Sequence, residues 1–185
     1  ILNSFMHNKF LETYYFIEKF EKSNIDKQDF NTTIIYRNYK KILNISEILF
    51  IKDYCKKRKN KFLISNNVKL SIKLCLDGAY LPSFNKDYSH LNYQLKKDFC
   101  LIGSAHNLKD IRIKEKQKVN KIFLSSIFKK NKNFLGINKF NLISKYSNKE
   151  VIALGGISNE NVNLIKLTKS AGFAGISYFN KKKGP

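Results

Sequence analysis

The sequence is poor in arginine, proline and glycine and has no tryptophan. Its 185 residues include two prolines and eight glycines, so no Pro/Gly-rich linker divides the chain. No run reaches the roughly 18 apolar residues that a membrane-spanning helix needs. The sequence therefore predicts one domain, residues 1–185, with no membrane segment and a sizeable core.

Cysteine is also scarce, which argues against a secreted fold stabilised by disulfides. Cys55, Cys75 and Cys100 are odd in number, lie far apart and form no Cys-x-x-Cys pair. The first residues lack the charged and apolar regions of a signal peptide. This pattern favours free thiols in the reducing environment of the cytoplasm.

Acidic residues are few, and the basic residues are almost all lysine. The chain has 14 Asp and Glu against 35 Lys and Arg, which gives a formal net charge of +21. Only Arg37, Arg58 and Arg112 are arginines, whereas specific nucleic-acid surfaces rely on arginine forks. We expect weak attraction to polyanions but no specific nucleic-acid partner.

What the sequence does contain is an alternation of short apolar runs and amphipathic segments. Eight runs are predicted strands: residues 14–17, 32–36, 62–65, 78–81, 99–103, 121–125, 151–154 and 174–178. The segments 46–54, 67–76, 108–118, 138–146 and 158–171 have helical spacing. Ser46 and Ser158 are predicted helix N-caps, and Gly172 is a predicted C-cap.

Eight strands separated by helices are typical of a parallel (β/α)8 barrel, the TIM barrel. Few residues separate the first two predicted strands, and few follow the eighth. The sequence therefore predicts a trimmed TIM barrel whose first and last helices are shortened or missing. Residues 1–12 are expected to cover one end of the barrel, and residues 180–185 to form a tail.

In such barrels the active site is built from the loops at the carboxyl ends of the strands. Gly155-Gly156 follow the seventh predicted strand, and two explanations fit this pair. Glycine lets an anion such as phosphate approach the backbone N–H groups before a helix. A tight turn with nothing bound accounts for the glycines equally well.

Three segments together indicate a family: "FLISNNVKLSIKLCLDGAYL", "LIGSAHNLKD" and "VIALGGISNENVNLIKLTKSAGFAGIS". In order and spacing they resemble the thiamine phosphate synthase family, which also contains the thiazole tautomerase TenI. The resemblance runs from about residue 14 to residue 179. It implies a TIM barrel and a role in thiamine biosynthesis.

The resemblance implies that thiazole phosphate binds in the barrel, with its phosphate near Gly155, Gly156, Phe179 and Asn180. The synthases of this family are transferases. They join thiazole phosphate to hydroxymethylpyrimidine pyrophosphate and release pyrophosphate, which is held by Mg²⁺ and basic residues.

Asn66 and Asn85 stand where the resemblance implies two magnesium-binding carboxylates. Mg²⁺ prefers anionic oxygen ligands, and two neutral amides make a poor site. We therefore expect no bound metal and no cofactor, with magnesium needed only if a synthase activity is retained.

Lysines stand in the loops that hold the pyrophosphate in the family. Lys129, Lys130 and Lys132 replace hydroxyl side chains after the sixth predicted strand. After the second strand Arg37 is kept, and Lys40 is one residue out of register. The lysines either form an electrostatic clamp on pyrophosphate or belong to a solvated loop.

His106 matches the histidine that transfers a proton in the tautomerase branch, and imidazole is suited to this because it titrates near neutral pH. Arg37, Ser104 and His106 are the predicted catalytic residues. The alternative for His106 is a structural hydrogen bond. His7 and His90 are predicted to be solvated rather than metal ligands.

Three functions stay open at this point. The chain is a synthase, a TenI-like tautomerase that uses His106, or a phosphate-ligand binder that has lost the magnesium-dependent chemistry. The predicted partners are small-molecule substrates, and the oligomeric state is open between a monomer and a homodimer.

Overall fold

The computed structural model describes residues 11–39 and 43–182, which form a closed barrel of eight parallel strands. The strands pair in chain order, and β1 closes onto β8. The strands are β1 (Glu12–Ile17), β2 (Thr33–Tyr36), β3 (Phe62–Ser65), β4 (Gly78–Leu81), β5 (Cys100–Ala105), β6 (Lys121–Ser125), β7 (Glu150–Leu154) and β8 (Gly172–Gly175). The helices are α1 (Lys22–Asp26), α2 (Ile45–Lys57), α3 (Val68–Lys73), α4 (Leu108–Lys116), α5 (Gly136–Ser144) and α6 (Ser177–Lys181).

Alternate strand residues point inward and form an inner core, separate from the core beneath the helices. The ring of Phe16 meets Tyr80 at 5.2 Å and Phe123 at 5.7 Å between centroids, both edge to face. Aromatic pairs prefer this geometry. These rings fill the middle of the barrel, so the barrel is a packed core rather than a channel.

The trimming predicted at the two ends of the chain is confirmed. The first helix and the last have five residues each. The trimming also extends to two internal connections, since β4–β5 and β7–β8 contain only the 3₁₀ turns Ser89–Asn92 and Val162–Leu167. No helix within the described parts of the chain is long and apolar enough to cross a membrane.

Two predictions near the end of the chain are wrong: the helix over 158–171 and the bounds of the eighth strand. A helix over 158–171 is not formed, and β8 begins two residues before the predicted start. Gly172 is the first residue of β8 rather than a helix C-cap. Glycine is needed at this position because a Cβ there would lie 2.1 Å from the Glu12 carbonyl oxygen. The glycine permits the close approach of β1 that closes the barrel.

Asparagine, not serine, caps the helices that follow three of the strands. The side-chain oxygens of Asn44, Asn67 and Asn107 accept from the backbone N–H of the third residue that follows each of them. The predicted caps Ser46 and Ser158 are therefore wrong. Ser46 lies within α2, and the N–H of Ser158 donates to a side-chain oxygen in the following turn.

The parallel register brings the ends of the strands together at one end of the barrel. Residues predicted to meet there are Ser65, Leu81, Ser104, Ser125 and Gly155, and each lies at or beside the carboxyl end of its strand. This part of the topology is confirmed. The carboxyl end is therefore the expected position of the functional site.

Candidate functional site

A cavity of about 430 Å³ opens at the carboxyl end of the barrel. Its walls come from the ends of β1, β2 and β5 to β8 and from the loops that follow them. The lining residues are Phe16, Arg37, His106, Ser125, Ser126, Lys129, Asn131, Asn133, Leu154, Gly155, Gly156, Ile157, Gly175, Ile176 and Ser177.

The two glycines after β7 have a structural requirement of their own. Gly155 and Gly156 have φ angles of 103° and 76°, a region that favours glycine. A Cβ on Gly155 would lie 2.5 Å from Ser126 Oγ, and one on Gly156 would lie 2.4 Å from the backbone nitrogen of Lys129. The loop after β6 packs directly on this turn, so the glycines alone do not demonstrate an anion site.

Unpaired backbone donors line the same corner. Among the described residues the N–H groups of Gly156, Ile157 and Ser177 have no hydrogen-bond partner. Gly175 lies at the end of β8, the strand that pairs with β7, and lines the same cavity; a Cβ placed on it would meet no heavy atom within 4 Å. Free N–H groups beside open space are what an anion requires.

Two of the four residues predicted to bind the phosphate, Phe179 and Asn180, lie outside the cavity. Phe179 is 1 % exposed and packs in the outer core. Asn180 Oδ1 accepts from Tyr15 Oη at 2.5 Å. Neither residue lines the cavity, because β8 ends earlier than the sequence pattern indicates and 177–181 form α6. Gly175, Ile176 and Ser177 take their place in the lining.

His106 reaches the cavity from the end of β5, just before α4. Its Nδ1 lies 3.0 Å from both the carbonyl oxygen and the hydroxyl of Ser125. A carbonyl oxygen only accepts, so Nδ1 carries the ring proton and Nε2 is the free base. Nε2 lies 3.1 Å from the hydroxyl of Ser83, which can donate to it. The ring is therefore oriented from both sides.

Ser104 and Arg37 occupy different surroundings. Ser104 is 3 % exposed and its hydroxyl accepts from Tyr80 Oη at 2.8 Å, so it lies within the barrel and outside the cavity lining. The guanidinium carbon of Arg37 lies 4.7 Å from the centre of the Phe16 ring. Arg37 does line the cavity, where it supplies a fixed positive charge.

Asn66 and Asn85 do come together, but they bind each other. Asn85 Nδ2 donates to Asn66 Oδ1 at 2.7 Å. Asn85 Oδ1 accepts from the N–H of Asp87 at 3.0 Å and from Gln117 Nε2 at 3.1 Å. Both amide oxygens are thus engaged and neither is charged, so these residues do not fit a magnesium ion.

No other metal site is evident in the described parts of the chain. They contain no group of three or more His, Cys, Asp and Glu residues placed to hold an ion. His90 is not solvated as predicted: it is 4 % exposed, and its Nε2 hydrogen-bonds the carbonyl oxygen of Gln117 at 2.8 Å. His7 lies outside the described residues.

Of the predicted pyrophosphate lysines, one lines the cavity. Lys129 lies in its wall beside Asn131 and Asn133, two residues that the sequence comparison did not single out. Lys130 belongs to a separate outer groove, and Lys132 is exposed. Lys40 lies outside the described residues. Of the lysines predicted to form an electrostatic clamp, Lys129 is therefore the one that the described cavity lining contains.

Aromatic side chains stand over the β2–β4 side of the barrel mouth. Tyr39 Oη lies 2.8 Å from Ser65 Oγ, and the Tyr39 ring meets Phe84 edge to face at 5.5 Å between centroids. Tyr39, Ser65 and Phe84 do not line the main cavity. Most of the main cavity's lining comes from the β5–β8 side.

Comparison with protein families and curated sequences gives one consistent result. Residues 28–179 match the family model described as thiamine monophosphate synthase. A putative thiamine-phosphate synthase 2 of Aquifex aeolicus is 30% identical over 128 residues, which are 67% of this chain and 68% of that protein. A thiamine-phosphate synthase of Prochlorococcus marinus subsp. pastoris is 28% identical over 127 residues, 66% of this chain but 36% of that protein. The matched part is thus about a third of the Prochlorococcus protein's length.

The fold has a counterpart among solved structures. A thiamine phosphate pyrophosphorylase from Pyrococcus furiosus superposes with a TM-score of 0.74, covering 95% of this chain and 92% of its own. The sequence identity is 19%, so this likeness concerns the fold.

Proposed function

Because the chain belongs to the thiamine-phosphate synthase family, we propose that it binds thiazole phosphate and converts one thiazole tautomer into another with His106. One observation carries the proposal. His106, a histidine with a defined free base, lines the same cavity as the unpaired N–H groups of the Gly-Gly corner. The residues at the expected metal positions are meanwhile tied to each other.

The phosphate is proposed to bind at the β7–β8 corner. The N–H groups of Gly156, Ile157 and Ser177 face a dianion there, and Lys129, in the loop that packs on the Gly-Gly turn, adds positive charge beside them. Backbone donors suit this task because they are fixed before the ligand arrives and cost little to orient. The heterocycle then extends toward Arg37 and His106.

His106 is proposed to move the proton. The bound ring system replaces the Ser83 hydroxyl at Nε2, which removes a proton from one carbon, and the resulting imidazolium returns a proton to another carbon. The carbonyl of Ser125 accepts from Nδ1–H throughout, which keeps Nε2 in its acceptor role. The reaction is an isomerisation, so no proton is gained or lost overall and no metal is required.

The second candidate is the synthase reaction. Arg37 and Lys129 in the same cavity favour it, because a departing pyrophosphate needs positive charge. The amide pair of Asn66 and Asn85 does not fit the magnesium ion that would share this task. We therefore rank the coupling reaction below proton transfer.

Conversion of the thiazole phosphate tautomer, followed by NMR in the presence of EDTA, tests the proposal. The parent is expected to turn over, and His106→Asn to lower kcat by about 10²-fold or more with little change in binding. Lys130→Met, outside the cavity, is the matched control and is expected to behave like the parent.

A parallel assay supplies pyrimidine pyrophosphate and magnesium. Coupling that is abolished by EDTA and unaffected by His106→Asn would contradict the proposal and favour the synthase. Binding without turnover in either assay would leave a phosphate-ligand binder.

A further inference from the structure

Lys114 is a lysine with no exposed surface, and its ammonium group lies inside the protein. It lies on α4, and its Nζ donates to the carbonyl oxygens of Pro82 and Asn85 at 2.8 Å each and to Gln117 Oε1 at 2.9 Å. No carboxylate of the described residues forms an ion pair with it. Burial lowers the pKa of Lys114 to about 8, while Asp110 one turn earlier acts in the opposite direction.

The barrel wall leaves room for this side chain. Gly103 lies in β5, and a Cβ there would be 2.6 Å from Lys114 Cδ and 2.9 Å from Cγ. Gly103 does not have a positive φ, so glycine is needed there for the space it leaves to Lys114 rather than for its backbone conformation. The Lys114 stem therefore passes over the backbone of β5 at Gly103, toward the loop that follows β4.

Gln117, also fully buried, completes the attachment of that loop. Its Nε2 donates to Asn85 Oδ1 at 3.1 Å and to the carbonyl of Asp87 at 2.7 Å, while its Oε1 accepts from Lys114. Four oxygens of the segment 82–87 thus accept hydrogen bonds from two side chains, one on α4 and one at its C-cap. A buried charge is tolerated only when such hydrogen bonds surround it.

The anchored loop reaches the candidate site at two points. Ser83 hydrogen-bonds His106 Nε2, and Asn85 hydrogen-bonds Asn66. Pro82 and Asn85, whose carbonyls Lys114 holds, flank Ser83 on either side. Any shift of the anchors therefore moves the hydroxyl that faces His106.

We infer that Lys114 is a positioning residue: its buried ammonium fixes the 82–85 loop from within and, through Ser83, sets the orientation of His106. The ammonium donates to the carbonyl oxygens of Pro82 and Asn85, in a loop whose side chains do not fit a metal ion. The catalytic consequence rests on the proposed function, whereas the anchoring of the loop and of the histidine ring does not.

The test replaces Lys114 by methionine, which keeps the length of the stem and removes the charge and its donors. Hydrogen exchange at the amides of Asn85 and Asp87 is expected to accelerate about tenfold, because the loop opens more often. The ring ¹⁵N signals of His106 are expected to move from a single Nδ1–H tautomer toward a mixture. Lys116→Met, an exposed lysine on the same helix, is the control and is expected to change neither.

Gly103→Ala is the second variant, since its methyl group displaces the Lys114 stem while the charge is kept. It guards against misfolding of Lys114→Met and is expected to change exchange and ring signals in the same direction. Parent-like loop exchange and His106 signals in the folded variants would overturn the inference.

Both measurements are made without substrate, so they are independent of the proposed function. With the tautomer substrate, Lys114→Met is expected to lower kcat about tenfold at an unchanged KM, because the base is misaligned while the phosphate corner is intact. Altered ring signals in a protein whose parent lacks turnover would refute the proposed function and leave the positioning role in place.

Discussion

At the scale of single residues, the ranking of the two proposed reactions depends on Asn66 and Asn85, where the resemblance implies magnesium-binding carboxylates. Their positions were evident from the sequence, and so was the loss of charge. The mutual hydrogen bond and its extension to Gln117 were not, because contacts between distant residues have no local pattern. Lys114 was missed for the same reason: nothing in a lysine-rich sequence distinguishes the one lysine that is fully buried among those the structure describes.

Restoring the two carboxylates is expected to restore metal binding. In Asn66→Asp/Asn85→Asp two like charges lie side by side, which destabilises the folded state unless a cation neutralises them. A few millimolar Mg²⁺ is expected to raise the melting temperature of this variant and leave the parent unchanged, since only an ion that binds the folded state stabilises it. An equal rise in the parent would contradict the interpretation of the amide pair.

Lys114 is expected to make stability depend on pH in the alkaline range. Its pKa falls from 10.5 to about 8 on folding, so between these values the unfolded chain holds a proton that the folded protein has lost. Lys114 by itself then contributes a rise in stability from about pH 8 to pH 10.5 of about 3 kcal/mol. Burial raises the pKa of Cys55 and of Tyr15 to about 12, which acts in the opposite direction. Urea unfolding across this range therefore compares the parent with Lys114→Met, and the parent's stability is expected to rise relative to that of the variant.

At the scale of elements, strands were easier to predict than the segments between them. Seven of the eight lie within two residues of the predicted bounds, because runs of Ile, Leu and Phe buried on both faces give a strong signal. β8 was misplaced because its Gly172 and Gly175 break that signal. The packing of β1 requires glycine at position 172, and Gly175 lines the cavity; neither circumstance is visible in the local sequence.

Helix capping gives a prediction at this scale. Asn67 Oδ1 accepts from the N–H of Leu70 at 2.9 Å at the start of α3, so Asn67→Ala is expected to lower the free energy of unfolding by about 1 kcal/mol. Ser46, which the sequence pattern predicted as a cap, is exposed within α2, and Ser46→Ala is expected to change stability by less than about 0.5 kcal/mol. Equal losses in denaturant unfolding would contradict this assignment.

At the scale of the whole molecule, the net charge of +21 attracts every phosphate compound to some degree. Such attraction is screened within about 10 Å at moderate salt, whereas fixed N–H donors in a shaped cavity are much less affected. The homodimer and the cytoplasmic location stay predictions. The whole-chain resemblance indicated the family early, but the shape of the cavity needed the three-dimensional fold.

The central claim is that one phosphate ester binds at the β7–β8 corner, and Gly175→Val tests it most directly. Gly156→Val is less informative, since its Cβ would collide with the backbone of Lys129 whether or not a ligand binds. At Gly175 a side chain enters open space at the cavity wall. Its expected effect is on the ligand rather than on the fold, which the melting temperature checks.

Calorimetric titration at low and moderate salt compares thiazole phosphate with the unphosphorylated thiazole alcohol, in the parent, in Gly175→Val and in Lys130→Met. The parent and Lys130→Met are expected to bind the phosphate at both salt concentrations. Gly175→Val is expected to lose at least about tenfold in affinity for the phosphate, about 1.4 kcal/mol, and to treat the alcohol as the parent does. A folded Gly175→Val that binds thiazole phosphate like the parent at both salt concentrations would contradict the account.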